Sequence, residues 1–495
     1  MQWEEEVCIV SGDNRAWQEE PKTVIELWCR SRSGHSSMLL VNGLRPYVEI
    51  SDPKSDGGSD EPEFLSKVSS VRGVQGEPES SGMKLSQDGV VRPHYRVYVN
   101  DTTKVRGVRK SLSEQGWRVT SADILFFQRL LLDLDLGPHI ATKGEVLWAG
   151  ERAPEGAKTP ENTNRETAEK RIQAVGGSGI YPLDMVVSCD ISGLSRAEPF
   201  PAPFVTMSFD LETSIADNTI LCAAAVVDRY GERKEYPITG DEKEILEKLT
   251  DVVRTEDPDF ITGYNIDNFD LPRMEERSEY VDTESEMDRS ALLGWGRVPM
   301  LESELKKRLV PERRPNRVWR IPGRIPLDAW WQVRQTLRPE RESLRYVSKL
   351  LWPEDEEMHK LDIDASQMDR EWAERPDEVL EYCVRDTILP LDILDRLQSI
   401  ARKEALASVS LTTVESASLD TTSRWIDSLV IRLADRTDVA VPTMISGPRR
   451  RDQIAGGYVH EVDAGISPWV VVLVWHVARI RLVHPNKVSG PHLLG

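Results

Sequence analysis

The stretch "FVTMSFDLETSIADNTILCAAAVVD", Phe204 to Asp228, marks a change of pattern in this chain. It reads as two strands, FVTMSFDLE and ILCAAAVVD, both rich in apolar and β-branched residues and both of strand length. Helical spacing follows in DEKEILEKLTDVVRTE, and DFITGYN returns to strand. Strand, strand, helix, strand is an α/β arrangement rather than a bundle. Side chains alternate along a strand, so Asp210 and Glu212 point the same way, with Phe209 and Leu211 packed behind them. Two carboxylates at that spacing offer hard oxygen ligands to a divalent cation. The pair alone decides little. With 83 Asp and Glu in 495 residues, acid-x-acid triplets arise by chance on the order of a dozen times.

Two further segments carry related chemistry. In ITGYNIDNFDLP a strand gives way to a turn rich in Asn and Asp, where Asn265 can tie the loop through its amide and Asp270 follows Phe269. VLEYCVRDTILPLDIL is helical by its apolar spacing, so Tyr382 and Asp386, four apart, share one face. A phenol beside a carboxylate can orient a water.

Composition narrows the classes. A chain of this length implies two to four domains, and 39% hydrophobic residues with 14 Trp suffice for real cores. The net charge is −20, with 45 Arg against 18 Lys. Such acidity argues against general electrostatic affinity for nucleic acid and suits either an ordinary acidic cytosolic protein or, as the low Lys share suggests, one kept soluble in a salty interior. Cys8, Cys29, Cys189, Cys222 and Cys383 are scattered, never in a CxxC pair. The spacing indicates neither a disulfide framework nor a zinc site and points to a reducing cytoplasm. "MQWEEEVCIV" lacks a signal-peptide pattern, and the uninterrupted apolar run Trp469 to Trp475 falls far short of the about 20 residues of a membrane span.

Upstream, KTVIELWCRSRSG and SMLLVNGLRPYVEI read as strands around a turn, and HYRVYV as another. Residues 51–90 and 151–178 are polar and read as insertions or linkers. VRGVRKSLSEQG and ADILFFQRLLLDLDL carry helical spacing, which also dominates 340–400.

Asp-x-Glu on a strand, Asn-x-x-x-Phe-Asp in a loop and Tyr-x-x-x-Asp on a helix, in this order, resemble the three exonuclease motifs of family B DNA polymerases. VIELWCRS, LRPYVEI and ADILFFQRLLLDLDLGP are similar to the amino-terminal domain of archaeal members. GRIPLDAWWQVRQTLRPERESLRYVSKLL is similar to the segment between the second and third motifs. RWIDSLVIRLADRTDVAVP and GGYVHEVDAGISPWVVVL resemble the approach to the polymerase palm. The resemblance covers residues 20–473, and the acidity is similar to that of haloarchaeal versions.

The resemblance implies an α/β chain: a mixed α+β amino-terminal domain (1–198), a ribonuclease-H-like 3′→5′ exonuclease domain (199–400) and the start of a palm (401–473). It implies two Mg²⁺ or Mn²⁺ ions on Asp210, Glu212, Asp270 and Asp386, Tyr382 orienting water, and Asn265 and Phe269 holding the DNA 3′ end. The implied partners are DNA and, in a full-length relative, a sliding clamp; the implied location is the cytoplasm. Residues 305–324, LKKRLVPERRPNRVWRIPGR, hold eight basic residues against Glu312 alone. Arg313, Arg314 and Arg317 there are candidates to guide the DNA backbone; the alternative is a solvated segment neutralising nearby acids.

The resemblance breaks after Leu473, where the family continues with a metal-binding aspartate. No acidic residue occurs from Ala464 to Gly495. Residues 474–495 therefore read as an aberrant tail from a shifted reading frame, the alternative being a genuine short basic arm, and the chain is expected to retain the nuclease but not DNA synthesis. The alternative is a catalytically silent DNA-binding remnant.

Overall fold

The computed structural model describes residues 2–17, 22–52, 61–159, 164–281, 290–300, 308–314, 318–354 and 363–443. The residues read above as a palm strand and as an aberrant tail, with Lys306, Lys307 and Arg317, lie outside the described residues.

The amino-terminal part begins with β1 (Gln2–Trp17), β2 (Lys22–Ser31) and β3 (Ser36–Asn42). There follow β4 (Tyr47–Ser51), α1 (Glu61–Ser69), β5 (Glu79–Leu85), β6 (Val91–Tyr98), α2 (Val105–Glu114) and β7 (Arg118–Thr120). Then come α3 (Phe126–Asp133), β8 (His139–Ala149), α4 (Arg165–Ala174), β9 (Met185–Asp190) and β10 (Leu194–Arg196). One sheet runs β1-β2-β3-β9-β8-β10, and β1 also pairs with β8, so the sheet closes into a ring. The second sheet, β5-β6-β4-β7, belongs to a β-α-β-β-α-β unit with all its pairings antiparallel. Its helices bury Phe64, Val68, Val108 and Leu112 against Val48, Ile50, Tyr95 and Val97.

Residues 51–90, expected as an insertion or linker, instead supply α1 and β5 of this unit, and 151–178 contains α4. The helix and strand were hidden by polarity. β5 is exposed along most of its length, so only its backbone ladder, not an apolar face, defines it.

The next sheet is built from β11 (Val205–Thr213), β12 (Ile220–Arg229), β13 (Glu232–Ile238), α5 (Glu242–Glu256) and β14 (Phe260–Thr262). The chain continues through α6 (Asp270–Val281), the short hairpin β15 (Glu312–Arg313) and β16 (Trp319–Arg320), and β17 (Ile325–Pro326). Helices α7 (Ala329–Thr336), α8 (Leu344–Leu351), α9 (Met368–Glu374) and α10 (Pro376–Arg396) follow. Last come α11 (Ser399–Ser410), α12 (Val414–Leu419) and α13 (Thr422–Arg436). The order is β13-β12-β11-β14-β17; β13, β12 and β11 are antiparallel, whereas β14 and β17 join in parallel. Alternation along β12 divides its alanines between two helices. Ala223 and Ala225 pack with the buried stripe of α5 (Ile245, Leu246, Leu249, Val253), and Ala224 packs with Val379 and Cys383 of α10. Alanine lets both helices approach the strand closely.

A fully buried ionic network ties the ring to this sheet. Arg30 of β2 reaches Asp259 (2.8 Å), Arg297 binds Asp257 (2.7 Å) and Asp259 (2.9 Å), and Arg324 binds Asp257 (2.8 Å). Further guanidinium hydrogens go to the carbonyls of Gly34, Asp257, Gly323, Trp295 and Pro258. Gly323 must be glycine: its φ is +78°, and a Cβ would lie 2.6 Å from the Trp28 ring.

Candidate active site

Asp210 and Glu212 stand on the half-exposed end of β11, while Phe209 and Leu211 of the same strand enter the core. The alternation expected from sequence holds there. Helix α10 crosses this end of the sheet and brings Asp386 to the same cavity, about 400 Å³, lined also by Tyr264, Asn265, Trp330 and Leu344. That volume falls in the range of small-ligand sites. Asp270 opens α6 and is buried, accepting the Leu211 N–H at 3.2 Å. Strand, loop and helix thus place Asp210, Asp270 and Asp386 around one end of β11.

The electrostatics are those of crowded carboxylates. Burial, then Asp210, then Asp328 push the Asp270 carboxyl well above its usual range. Burial pushes Asp328 up to about 6, although its carboxylate accepts N–H bonds from Asn265 (2.8 Å), Trp330 (2.9 Å) and Asp267 (3.2 Å). Burial and then Asp328 push Asp267 up to about 7.

Asn265 ties its loop as expected: at φ +71°, its Oδ1 accepts from Asn268 Nδ2 at 2.9 Å. Phe269 leaves 42% of its surface exposed, with Arg273 5.8 Å from its ring centroid. Tyr382 is 2% exposed and packs among Cys222, Ala224, Met368 and Val379, the first two of which pair with Glu212 and Asp210 across the β11–β12 ladder. Next to it on α10, Cys383 approaches Asp210, with Sγ 3.5 Å from the carbonyl and 3.8 Å from Oδ2. The Cys383 thiol is pushed well above its usual range, chiefly by burial, and a protonated thiol is a poor ligand for a hard cation.

The basic run divides between the two sequence readings. Arg324 is buried in the ionic network, Arg308 pairs with Glu26 (2.8 Å), and Arg320 lies 3.4 Å from Asp13. Those three neutralise acids. Arg313 is exposed on the β15–β16 hairpin and acts electrostatically on Asp267; Arg314, half-exposed, pairs loosely with Glu312 at 3.4 Å.

Sequence reading missed Asp328 and Trp330. Asp328 caps α7 by accepting the Trp330 N–H, and an Asp just before an apolar helical start was the available signal. Trp330 lines the cavity and packs against Trp331 at 4.7 Å between centroids; nothing in a tryptophan pair by itself marks a site.

By class, this is an α/β domain with carboxylates from a strand, a helix start and a crossing helix gathered at one strand end. Residues 226–347 match the sequence model of the DNA polymerase family B exonuclease domain. The matched span includes Asn265, Phe269, Asp270 and Asp328, and the remaining carboxylates flank it. The DNA polymerase delta catalytic subunit of Caenorhabditis elegans is 30% identical over 257 residues, 48% of this chain and 21% of that protein. The DNA polymerase of Archaeoglobus fulgidus is 24% identical over 459 residues, 91% of this chain and 50% of that one. The family B DNA polymerase structure from Pyrobaculum calidifontis shares the fold, with a TM-score of 0.62 at 18% identity, over 88% of this chain and 51% of that one. The chain spans about half or less of the length of these relatives. Among the described residues, no helix is long and apolar enough to cross a membrane.

Proposed function

We propose that this chain is a cytoplasmic, metal-dependent 3′→5′ DNA exonuclease of the proofreading type, acting on single-stranded 3′ ends. The observation that carries it is the cavity faced by Asp210 from β11 and Asp386 from α10, with Asp270 crowded behind them. The sheet order, three antiparallel strands extended by two parallel ones, supports the ribonuclease-H-like reading. The donor set fits two Mg²⁺ or Mn²⁺ ions: the ligands are hard oxygens, and their mutual repulsion is what bound cations relieve. Asp210, Glu212, Asp270 and Asp386 would hold them, and when bound they supply positive charge at the scissile phosphodiester and activate water.

The chain's own groups do the rest. Asp328, through three N–H bonds, fixes the loop that carries Asn265. Trp330 and Phe269 offer faces on which terminal bases can stack, and Arg313 adds positive charge next to that loop. DNA synthesis is not part of the proposal. The decisive assay is Mg²⁺-dependent digestion of 3′-labelled single strands by folded protein in high salt. The second reading, a silent DNA-binding remnant, prevails if DNA binds but is never cut.

Two outcomes follow. Glutamate at both Arg313 and Arg314 is expected to weaken single-strand binding by roughly 5- to 10-fold at low salt, with the difference fading as salt rises; fluorescence anisotropy measures it. Unchanged affinity would leave those arginines as a solvated face. The second concerns pH. Asp328 and Asp267 are raised on folding above an unfolded value of about 3.9. Groups raised in this way contribute stability below the unfolded value and lose it as pH rises through the folded ones, about 6 and about 7. The metal-free protein should therefore lose stability toward neutral pH, and Mn²⁺ should raise Tm more at about pH 8 than at about pH 5.5.

A further inference from the structure

Away from that cavity, Cys8, His139 and Glu404 converge on one buried point. Cys8 in β1 and His139 in β8 are directly opposed in the antiparallel ladder, which puts both side chains on one face of the ring. Glu404 arrives from α11, its Oε1 3.3 Å from His139 Nε2. One ligand atom from each of the three residues lies within 4.8 Å of the others. Cys8 is fully buried and His139 is 2% exposed. The walls are apolar: the Phe200 ring packs edge-on against His139 at 4.7 Å, and Cys8 shares a cluster with Phe204 and Ala407.

We propose that Cys8, His139 and Glu404 form a binding site for a zinc-class divalent cation that staples the amino-terminal ring to α11, independently of the carboxylate cavity. The first argument is donor chemistry. Thiolate, imidazole and carboxylate together select zinc over the Mg²⁺ that an all-carboxylate site prefers. Three protein ligands leave a fourth position for water.

The second argument is orientation. His139 Nδ1 lies 3.4 Å from Ser408 Oγ, whose hydroxyl donates to the Glu404 carbonyl at 3.1 Å. In the tautomer whose Nδ1–H donates to the Ser408 oxygen, the Nε2 lone pair faces the Glu404 carboxylate. Such a partner on the second ring nitrogen is what fixes a metal-binding histidine. Glu404 is itself held, its Oε1 accepting the Ala202 N–H at 2.7 Å. In that tautomer two acceptors face one another, and a cation between them reconciles the contact where a proton on Nε2 otherwise would.

The third argument is charge. One thiolate and one carboxylate balance a dication, so the occupied site is neutral where a buried net charge would be costly. On binding, the Cys8 S–H bond breaks, its proton leaves to solvent and the sulfur coordinates the ion. Metal–ligand lengths of about 2.0–2.3 Å place tetrahedral donors roughly 3.3–3.8 Å apart, close to the present spacing of within 4.8 Å.

The test uses the full chain, stripped with a chelator and titrated with Co²⁺ alone. The expected result is a thiolate-to-cobalt charge-transfer band that saturates at one equivalent and is bleached by Zn²⁺. It should vanish in Cys8→Ser and persist in Cys383→Ser, the thiol beside Asp210. Zn²⁺ affinity should fall by roughly 100-fold in His139→Gln. Should Cys8→Ser fail to fold, Glu404→Gln, which keeps the side-chain volume and the acceptor for Ala202, is expected to weaken the band. No band in the unsubstituted chain, or one that survives Cys8→Ser, overturns the proposal and leaves a buried His139–Glu404 pair with Cys8 as packing.

Discussion

Alanine at Asp210 and Glu212 together is expected to lower 3′→5′ digestion by about 10³-fold or more while leaving the fold intact. Such a loss corresponds to roughly 4 kcal/mol of transition-state stabilisation. Both side chains sit at the half-exposed end of β11, and the packing of that strand is carried by Val205, Met207, Phe209 and Leu211 on the core side. Removing them also removes like charge from beside Asp270, whose carboxyl is raised by burial and then by Asp210. The metal-free double variant should therefore melt no lower than the parent at about pH 8, and should lose the Mn²⁺-induced rise in Tm. Measuring kcat/KM and Tm on the same preparations separates the two effects. Digestion that survives in the double variant would place the nuclease elsewhere.

Breaking the buried ionic network should produce the largest loss of stability. Asp257→Asn or Arg297→Met is expected to cost roughly 3–5 kcal/mol, because each leaves a partner charge buried without its counter-ion. The sign of the pH dependence follows from the carboxyls. Burial alone would raise Asp257 and Asp259, but the adjacent guanidiniums outweigh it: Arg297, Arg324 and Arg30 for Asp257, and Arg30 and Arg297 for Asp259. Both are therefore held below the usual carboxylate range. A depressed group contributes its stability above the unfolded value of about 3.9 and loses it as pH falls through the folded one. The gap in Tm between the parent and Asp257→Asn should hold from about pH 5 to 8 and close only in stronger acid. A gap already closing at about pH 6 would show that the network is not what separates the two.

How much was legible depended on whether the signal was local. β11, β12, α5 and α10 were readable because apolar period and length agree with the observed elements, and the shared face of Asp210 and Glu212 follows from strand geometry alone. β5 and α1 were not readable, because an exposed strand and a short polar helix bury too little to leave a pattern. Helical spacing places Tyr382 and Asp386 on one broad face but does not say what each meets: the Tyr382 ring packs with Ala224 and Cys222, while Asp386 faces the cavity. The basic run shows the limit of counting charge, since Arg308, Arg320 and Arg324 are committed to partners distant in sequence.

The sequence by itself determined the α/β order and the shared strand face of Asp210 and Glu212, because each rests on periodicity within a few turns of chain; the four carboxylates as a candidate metal set came from the resemblance of three motifs taken in order. Only the tertiary structure decided that Asp328 braces the site, that Trp330 lines it, and that Cys8, His139 and Glu404 meet. Those groups are brought together by ring closure between β1 and β8 and by the packing of α7 and α11. Such contacts depend on which apolar surfaces bury one another, and no spacing along the chain encodes that.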